Sequence, residues 1–298
     1  MLTRQWRPPW PVDARGTLSA HRRGTGDPAF QTTPDGAIWR ASHTPDGPGT
    51  LRIVAGREIV EATAYGPGAG WLLDGLPELL GAGDDPAALT PGHRVLREAV
   101  LRQPGLRIGR TRRVFEALVP AVLEQKVVSM EAWRAWRYLL RRFGEPAPGP
   151  PASAGANRLR VPPPPQVWAE IPSWEWHRSG AEAVRARTIM HAARLASRLE
   201  HRVSDETLRS LPGIGVWTSA EIRQRALGDP DAVSVGDYNL PALVGWALAG
   251  TKVDDAGMLE LLAPYQGQRY RVTRLLELSG SRPPRRGPRM RVRDYRAF

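Results

Sequence analysis

The sequence predicts an α+β protein in which a small N-terminal domain built on an antiparallel sheet precedes a larger helical domain. Three observations carry this. Between residues 37 and 65 the side chains alternate with a period of two, interrupted by turn residues. From Phe115 onward the apolar period becomes that of a helix. Near Leu211 two closely spaced glycines turn one helix directly into the next. The expected boundaries are residues 1–95 for the sheet domain, 96–278 for the helical domain and 279–298 for a basic flexible tail.

In the first domain the strand candidates are Ala37 to Thr44, Thr50 to Ala55 and Glu58 to Tyr65, with Ala55-Gly56-Arg57 as the hairpin turn. Leu51, Ile53 and Ala55 share one face; Arg52 and Val54 share the other. Trp71, Leu72, Leu76, Leu79 and Leu80 predict a helix covering the sheet, and Trp6, Trp10 and Trp39 read as core or interface. In the second domain Phe115, Leu118, Val119, Val122 and Leu123 form a full apolar stripe, which Gln125 and Lys126 interrupt. Ser129 is the expected N-cap of a helix from Met130 to Phe143, with Trp133 and Trp136 on its core side. The Pro- and Ala-rich run from Glu145 to Gln166 predicts no regular structure. Further helices are expected over Ala183 to Leu199 and Arg269 to Leu278.

Composition bounds the function. The chain of 298 residues contains no cysteine, which excludes disulfides, thiolate zinc sites and a cysteine-held iron–sulfur cluster. The formal charge of +12 favours a polyanionic partner. Lys126 and Lys252 are the only lysines, so arginine carries nearly all of the positive charge. No run of apolar residues is long enough to span a bilayer, and Met1 to Trp10 lacks the apolar segment of a secretory signal, so a cytoplasmic protein with no membrane partner is expected.

The richest stretch is Leu211 to Asp237. Ser204 is the expected N-cap of a short helix with Asp205 and Glu206 in its first turn, which Pro212 and Gly213 end. Gly213 and Gly215 are free to take positive φ, and Val216 to Leu227 resumes as a helix whose first amides suit a phosphate. A loop carrying Gly228, Pro230 and Gly236 then delivers Asp237 to the expected N-cap of a helix from Tyr238 to Ala249.

The run L-P-G-I-G-V-W-T-S-A, followed by that loop and Asp237, resembles the helix-hairpin-helix DNA glycosylase superfamily, and most closely its 3-methyladenine branch. F-E-A-L-V-P-A-V-L-E-Q-K-V at Phe115 to Val127 resembles a second motif of the family, and P-Y-Q-G-Q-R at Pro264 to Arg269 a third. The three motifs stand in the family's order and span Phe115 to Arg269.

The resemblance implies a helix-hairpin-helix fold for the helical domain, and a monofunctional enzyme that flips damaged bases out of double-stranded DNA and excises alkylated purines. It needs no metal and no cofactor, and a nucleoid-associated monomer is expected. Cleavage builds positive charge on the sugar, which a fixed carboxylate stabilises; Asp237 is the candidate. Gly213, Ile214, Gly215, Thr218, Gln125 and Lys126 are the implied DNA contacts. Bifunctional relatives carry a nucleophilic lysine in the hairpin, where this chain has Val216 and Trp217, so an intact abasic site is the expected product. Trp217 is expected either to wall the base pocket or to pack between helices. Glu221 and Glu277 stand where alkyladenine enzymes have aromatic residues, and they either draw a cationic base into the pocket or lie on the surface.

Overall fold

The computed structural model describes residues 1–149, 159–201, 203–284, 292 and 294. The α+β class is the one predicted: an antiparallel five-stranded sheet followed by helices. Strands β1 (Leu2–Trp6), β2 (Phe30–Thr32), β3 (Ile38–Thr44), β4 (Gly47–Ala55) and β5 (Val60–Tyr65) pair in the order β1-β5-β4-β3-β2, and α1 (Ala14–Leu18) lies between the first two. The register sets Ile38 opposite Ile53 and Leu51 opposite Ala64, so one face of the sheet is apolar. Leu72, Leu73, Leu76, Leu79 and Leu80 cover that face. They come from two short helices, α2 (Ala69–Asp74) and α3 (Leu76–Leu79), where the sequence predicts one. Pro77 stands in the first turn of α3, where its missing N–H costs nothing, and the chain restarts there.

The helices continue with α4 (Arg94–Arg102), α5 (Val114–Leu123) and α6 (Ser129–Phe143). Ser129 is the first helical residue of α6 rather than its cap, and no side chain caps that end. The Pro-rich segment departs from its expected irregularity at both ends. Glu145 and Pro146 (β6) pair with Arg160 and Val161 (β7), and α7 (Pro165–Glu170) begins with a proline in its first turn. The middle of that segment, residues 150–158, and most of the basic tail lie outside the described residues. Then follow α8 (Ser173–Ser179), α9 (Ala183–Arg194) and α10 (Ala196–His201), the last two separated by Leu195 where one helix is expected. The chain ends in α11 (Asp205–Arg209), α12 (Val216–Ala226), α13 (Leu240–Ala249), α14 (Asp255–Leu262) and α15 (Arg269–Leu278).

Helix α5 is the axis of the helical core: nine of its ten residues are buried, against side chains from α6, α9, α10 and α12. The tenth, Glu116, reaches back to the sheet, where it accepts from Ser42 Oγ at 2.8 Å and pairs with Arg40. A second apolar cluster joins α4 to α13, α14 and α15. Buried polar links join the helices to the N-terminal part of the chain, of which Arg271 in α15 with Asp84 in the segment after α3 is the most enclosed.

The same junction holds His21. Burial, and then Arg40, Arg225, Arg23 and Arg274, keep its pKa well below the ordinary 6.5. His43 is lowered as well, by burial and then Arg113. Both rings are neutral in the fold, while the unfolded chain takes up protons as the pH falls through about 6.5. The unfolded state then binds more protons, so stability is full above that pH and declines below it. Thermal unfolding between pH 7.5 and pH 5 is expected to show a falling Tm, with a shallower slope for His21→Gln; an unchanged slope in that variant would remove His21 from the account.

Candidate functional site

The hairpin is built as its residue types require. Ser204 Oγ accepts from Thr207 N at 3.0 Å and caps α11. Gly213 has φ +85° and packs so tightly on α9 that a Cβ would lie 2.1 Å from Thr188 Oγ1. Gly215 differs from the expectation: it is extended, with φ −97°, and serves as the N-cap of α12 facing open space. Ile214 is buried in the helical core and Thr218 is also buried. Gln125, two residues after α5, donates through Nε2 to the Gly213 carbonyl and to Thr218 Oγ1, both at 2.9 Å. Gln125, Ile214 and Thr218 thus hold the hairpin from behind. The outward face consists of Pro212, Gly213, Gly215 and Val216, with the first amides of α12, which have no acceptor within their helix. Beside it, exposed Lys126 sits in the left-handed region at φ +54°, a conformation costing a non-glycine residue about 1 kcal/mol or more.

Asp237 ends the loop after α12. Its Oδ1 accepts from the backbone N–H groups of Asn239 and Leu240 at 2.8 and 3.0 Å; α13 begins two residues later than the sequence predicts, so Asn239 and not Asp237 is its N-cap, and Asp237 braces the turn before it. Its Oδ2 accepts from Trp217 Nε1 at 3.1 Å. Trp217, on the first turn of α12, therefore orients the carboxylate and is not among the residues that line the adjoining cavity.

That cavity has a volume of about 500 Å³, within the range of small-molecule sites, and Asp237 stands on its wall. Helix α12 contributes Glu221, Gln224 and Arg225; α15 contributes Tyr270, Thr273, Arg274 and Glu277. Glu221 is buried, accepts from Ser234 Oγ at 2.6 Å and pairs with Arg225 at 2.8 Å. Glu277 is an exposed rim residue paired with Arg274. The two carboxylates are thus in the cavity lining, each balanced by a guanidinium. Burial works against the charge on Arg225, but Glu221 beside it holds its pKa above the ordinary arginine value. Gln224, Arg225, Tyr270 and Arg274 are site residues that the sequence reading missed. Their signal is the i, i+3, i+4 spacing of polar residues on two helices that the sequence predicts.

No family model matches the chain. Residues over a 247-residue stretch are 30% identical to the probable bifunctional transcriptional activator/DNA repair enzyme AlkA of Mycobacterium tuberculosis, covering 74% of this chain and 46% of that protein. The chain spans about half the length of the curated relatives it matches. Among solved structures, the 3-methyladenine DNA-glycosylase from Archaeoglobus fulgidus superposes with a TM-score of 0.78 at 18% identity, over 92% of this chain and 97% of that one. The apo 8-oxoguanine glycosylase/lyase of Clostridium acetobutylicum gives 0.72 at 12% identity, over 93% and 96%. At such identities the superpositions speak for the fold alone. The fold is that of these DNA glycosylases, and the three ordered motifs resemble the helix-hairpin-helix DNA glycosylase superfamily.

Proposed function

We propose that the chain is a monofunctional DNA glycosylase that turns a damaged nucleotide out of duplex DNA and hydrolyses the bond between an alkylated purine and its sugar. The observation that carries this is Asp237: three donors fix its carboxylate on the wall of a base-sized cavity, next to a glycine hairpin. The reading assigns the hairpin face and the α12 amides to a backbone phosphate, Lys126 to the gap left by the extruded nucleotide, and the cavity to the base. As the C1′–N bond breaks, the base leaves with the electron pair. Asp237 stabilises the positive sugar, and water then adds to C1′ and loses a proton. Duplex DNA carrying damaged bases is the proposed partner, met by a monomer in the cytoplasm. The curated relatives named for DNA repair support the same reading.

The test is a single-turnover assay on methylated duplex DNA, analysed before and after alkali. Free alkylated purine and strand breaks that appear only after alkali are expected. Release from oxidised, deaminated or mismatched duplexes in place of methylated ones would move the substrate class, and no release from any duplex would leave a lesion-binding module. Because Val216 and Trp217 occupy the hairpin positions of the nucleophilic lysine, borohydride is expected to trap no covalent adduct during base release. An adduct that disappears in Lys126→Ala would overturn the monofunctional assignment.

The hairpin separates into one informative glycine and one uninformative one. Gly213→Asp collides with Thr188 and damages the fold, whereas Gly215→Asp enters open space at an N-cap, where Asp is favourable to the helix. Gly215→Asp is expected to keep or raise the Tm, weaken duplex binding about tenfold at low salt and reduce the salt slope by about 0.9. Unchanged affinity would show that the hairpin does not meet a phosphate.

A further inference from the structure

The polar side chains of the cavity are largely committed to one another. Gln224 Nε2 donates to the Ala232 carbonyl at 2.8 Å and to Ser234 Oγ at 2.9 Å, and its Oε1 accepts from Arg225 at 3.2 Å. Arg225 also donates to the carbonyls of Ala20 and Glu221, and Arg274 is held by Glu277 and by Ser19 Oγ at 2.9 Å. Thr273 Oγ1 is turned back onto the Tyr270 carbonyl at 2.8 Å. Tyr270 is the contrast. Its side chain is 7% exposed and lines the cavity, yet its hydroxyl has no hydrogen-bond partner among the described residues. The hydroxyl lies among two ion pairs, Glu221 with Arg225 and Glu277 with Arg274. Burial raises its pKa above the ordinary tyrosine value, so it retains its proton at neutral pH. The hydroxyl is not among the fully enclosed unpaired atoms, so it opens into the cavity and is free to pair with whatever enters.

We infer that Tyr270 is the specificity-determining residue of this cavity: its O–H donates to an acceptor atom on the edge of the extruded purine and selects among bases by hydrogen bonding. This rests on the glycosylase reading above. It also accounts for a pocket whose two helices present balanced ion pairs at Glu221 and Glu277, the positions where the resemblance implies stacking aromatics. A site built to hydrogen-bond its ligand discriminates strongly, because a bound base without the right atom displaces water from the hydroxyl and leaves it unpaired.

The experiment uses the full chain, wild type and Tyr270→Phe, on duplex DNA carrying tritiated methyl groups, with released 3-methyladenine and 7-methylguanine separated and timed under single turnover. The two bases present different acceptor edges, since methylation blocks N3 in one and N7 in the other. Tyr270→Phe keeps the ring and most of the volume, so Tm and affinity for undamaged duplex are expected to hold. The ratio of the two release rates is expected to change about tenfold. Equal slowing of both bases would make Tyr270 a packing residue, and unchanged rates would make it irrelevant; either result overturns the inference. If the wild type releases neither base, the alkylated-purine reading itself fails and this inference falls with it.

Discussion

Asp237→Asn is expected to reduce single-turnover base release by roughly 10²-fold or more while leaving duplex binding and folding in place. The substitution removes the charge and almost no volume. Asn can present its carbonyl oxygen to the N–H groups of Asn239 and Leu240, so both bonds at the start of α13 survive. Its amide nitrogen then faces Trp217 Nε1, a donor against a donor, at the point where Oδ2 now accepts. The variant therefore loses both the field that stabilises a positive sugar and part of what holds the side chain in place. Base release and duplex affinity measured on the same preparation separate these effects. Undiminished release would show that Asp237 only braces the turn before α13.

Asp84→Ala is expected to destabilise the fold by roughly 3–5 kcal/mol, the cost of leaving a buried charge without its partner. The side chains of Asp84 and Arg271 are 2% and 3% exposed, and their contact ties the segment after α3 to α15. Asp84 Oδ2 also accepts from Ile108 N at 2.8 Å, and Arg271 Nε donates to Gln268 Oε1 at 2.6 Å. Since α15 carries Tyr270, Arg274 and Glu277, base release is expected to fall with stability. Urea unfolding reads the first effect as a lower midpoint. The double variant Asp84→Leu with Arg271→Met removes both charges and is expected to recover much of the loss. A single variant as stable as the wild type would show that water reaches Arg271 when Asp84 is gone.

Local patterns determined much of this protein. The alternation from Ala37 to Tyr65 is enough to define β3, β4 and β5, because each turns at least one face to a core, and β3 turns both. The apolar stripe from Phe115 to Leu123 defines α5 for the same reason. Ser204 and Gly213 were legible because caps and left-handed turns restrict residue type within a few positions, whereas the N-cap expected at Asp237 fell to Asn239. The edge strands escaped the reading: β1 is largely exposed and β2 has three residues, so each is held by a neighbour's backbone and shows little apolar pattern. The pairing of β6 with β7 across a Pro-rich segment is likewise a partner effect.

Tertiary structure decided the site. Whether Trp217 walls a pocket or orients a carboxylate depends on where a residue twenty positions later comes to lie. The difference between Gly213 and Gly215 is set by Thr188 on another helix, which crowds one glycine and leaves the other open. The counterions of Glu221 and Glu277 lie within a turn of them on their own helices, but only the placement of α12 and α15 around one space brings both pairs, and the open hydroxyl of Tyr270, into one cavity. Sequence restricts which conformations a few neighbouring residues can adopt. Which surfaces those residues share is set by contacts between distant segments, whose energies no local pattern contains.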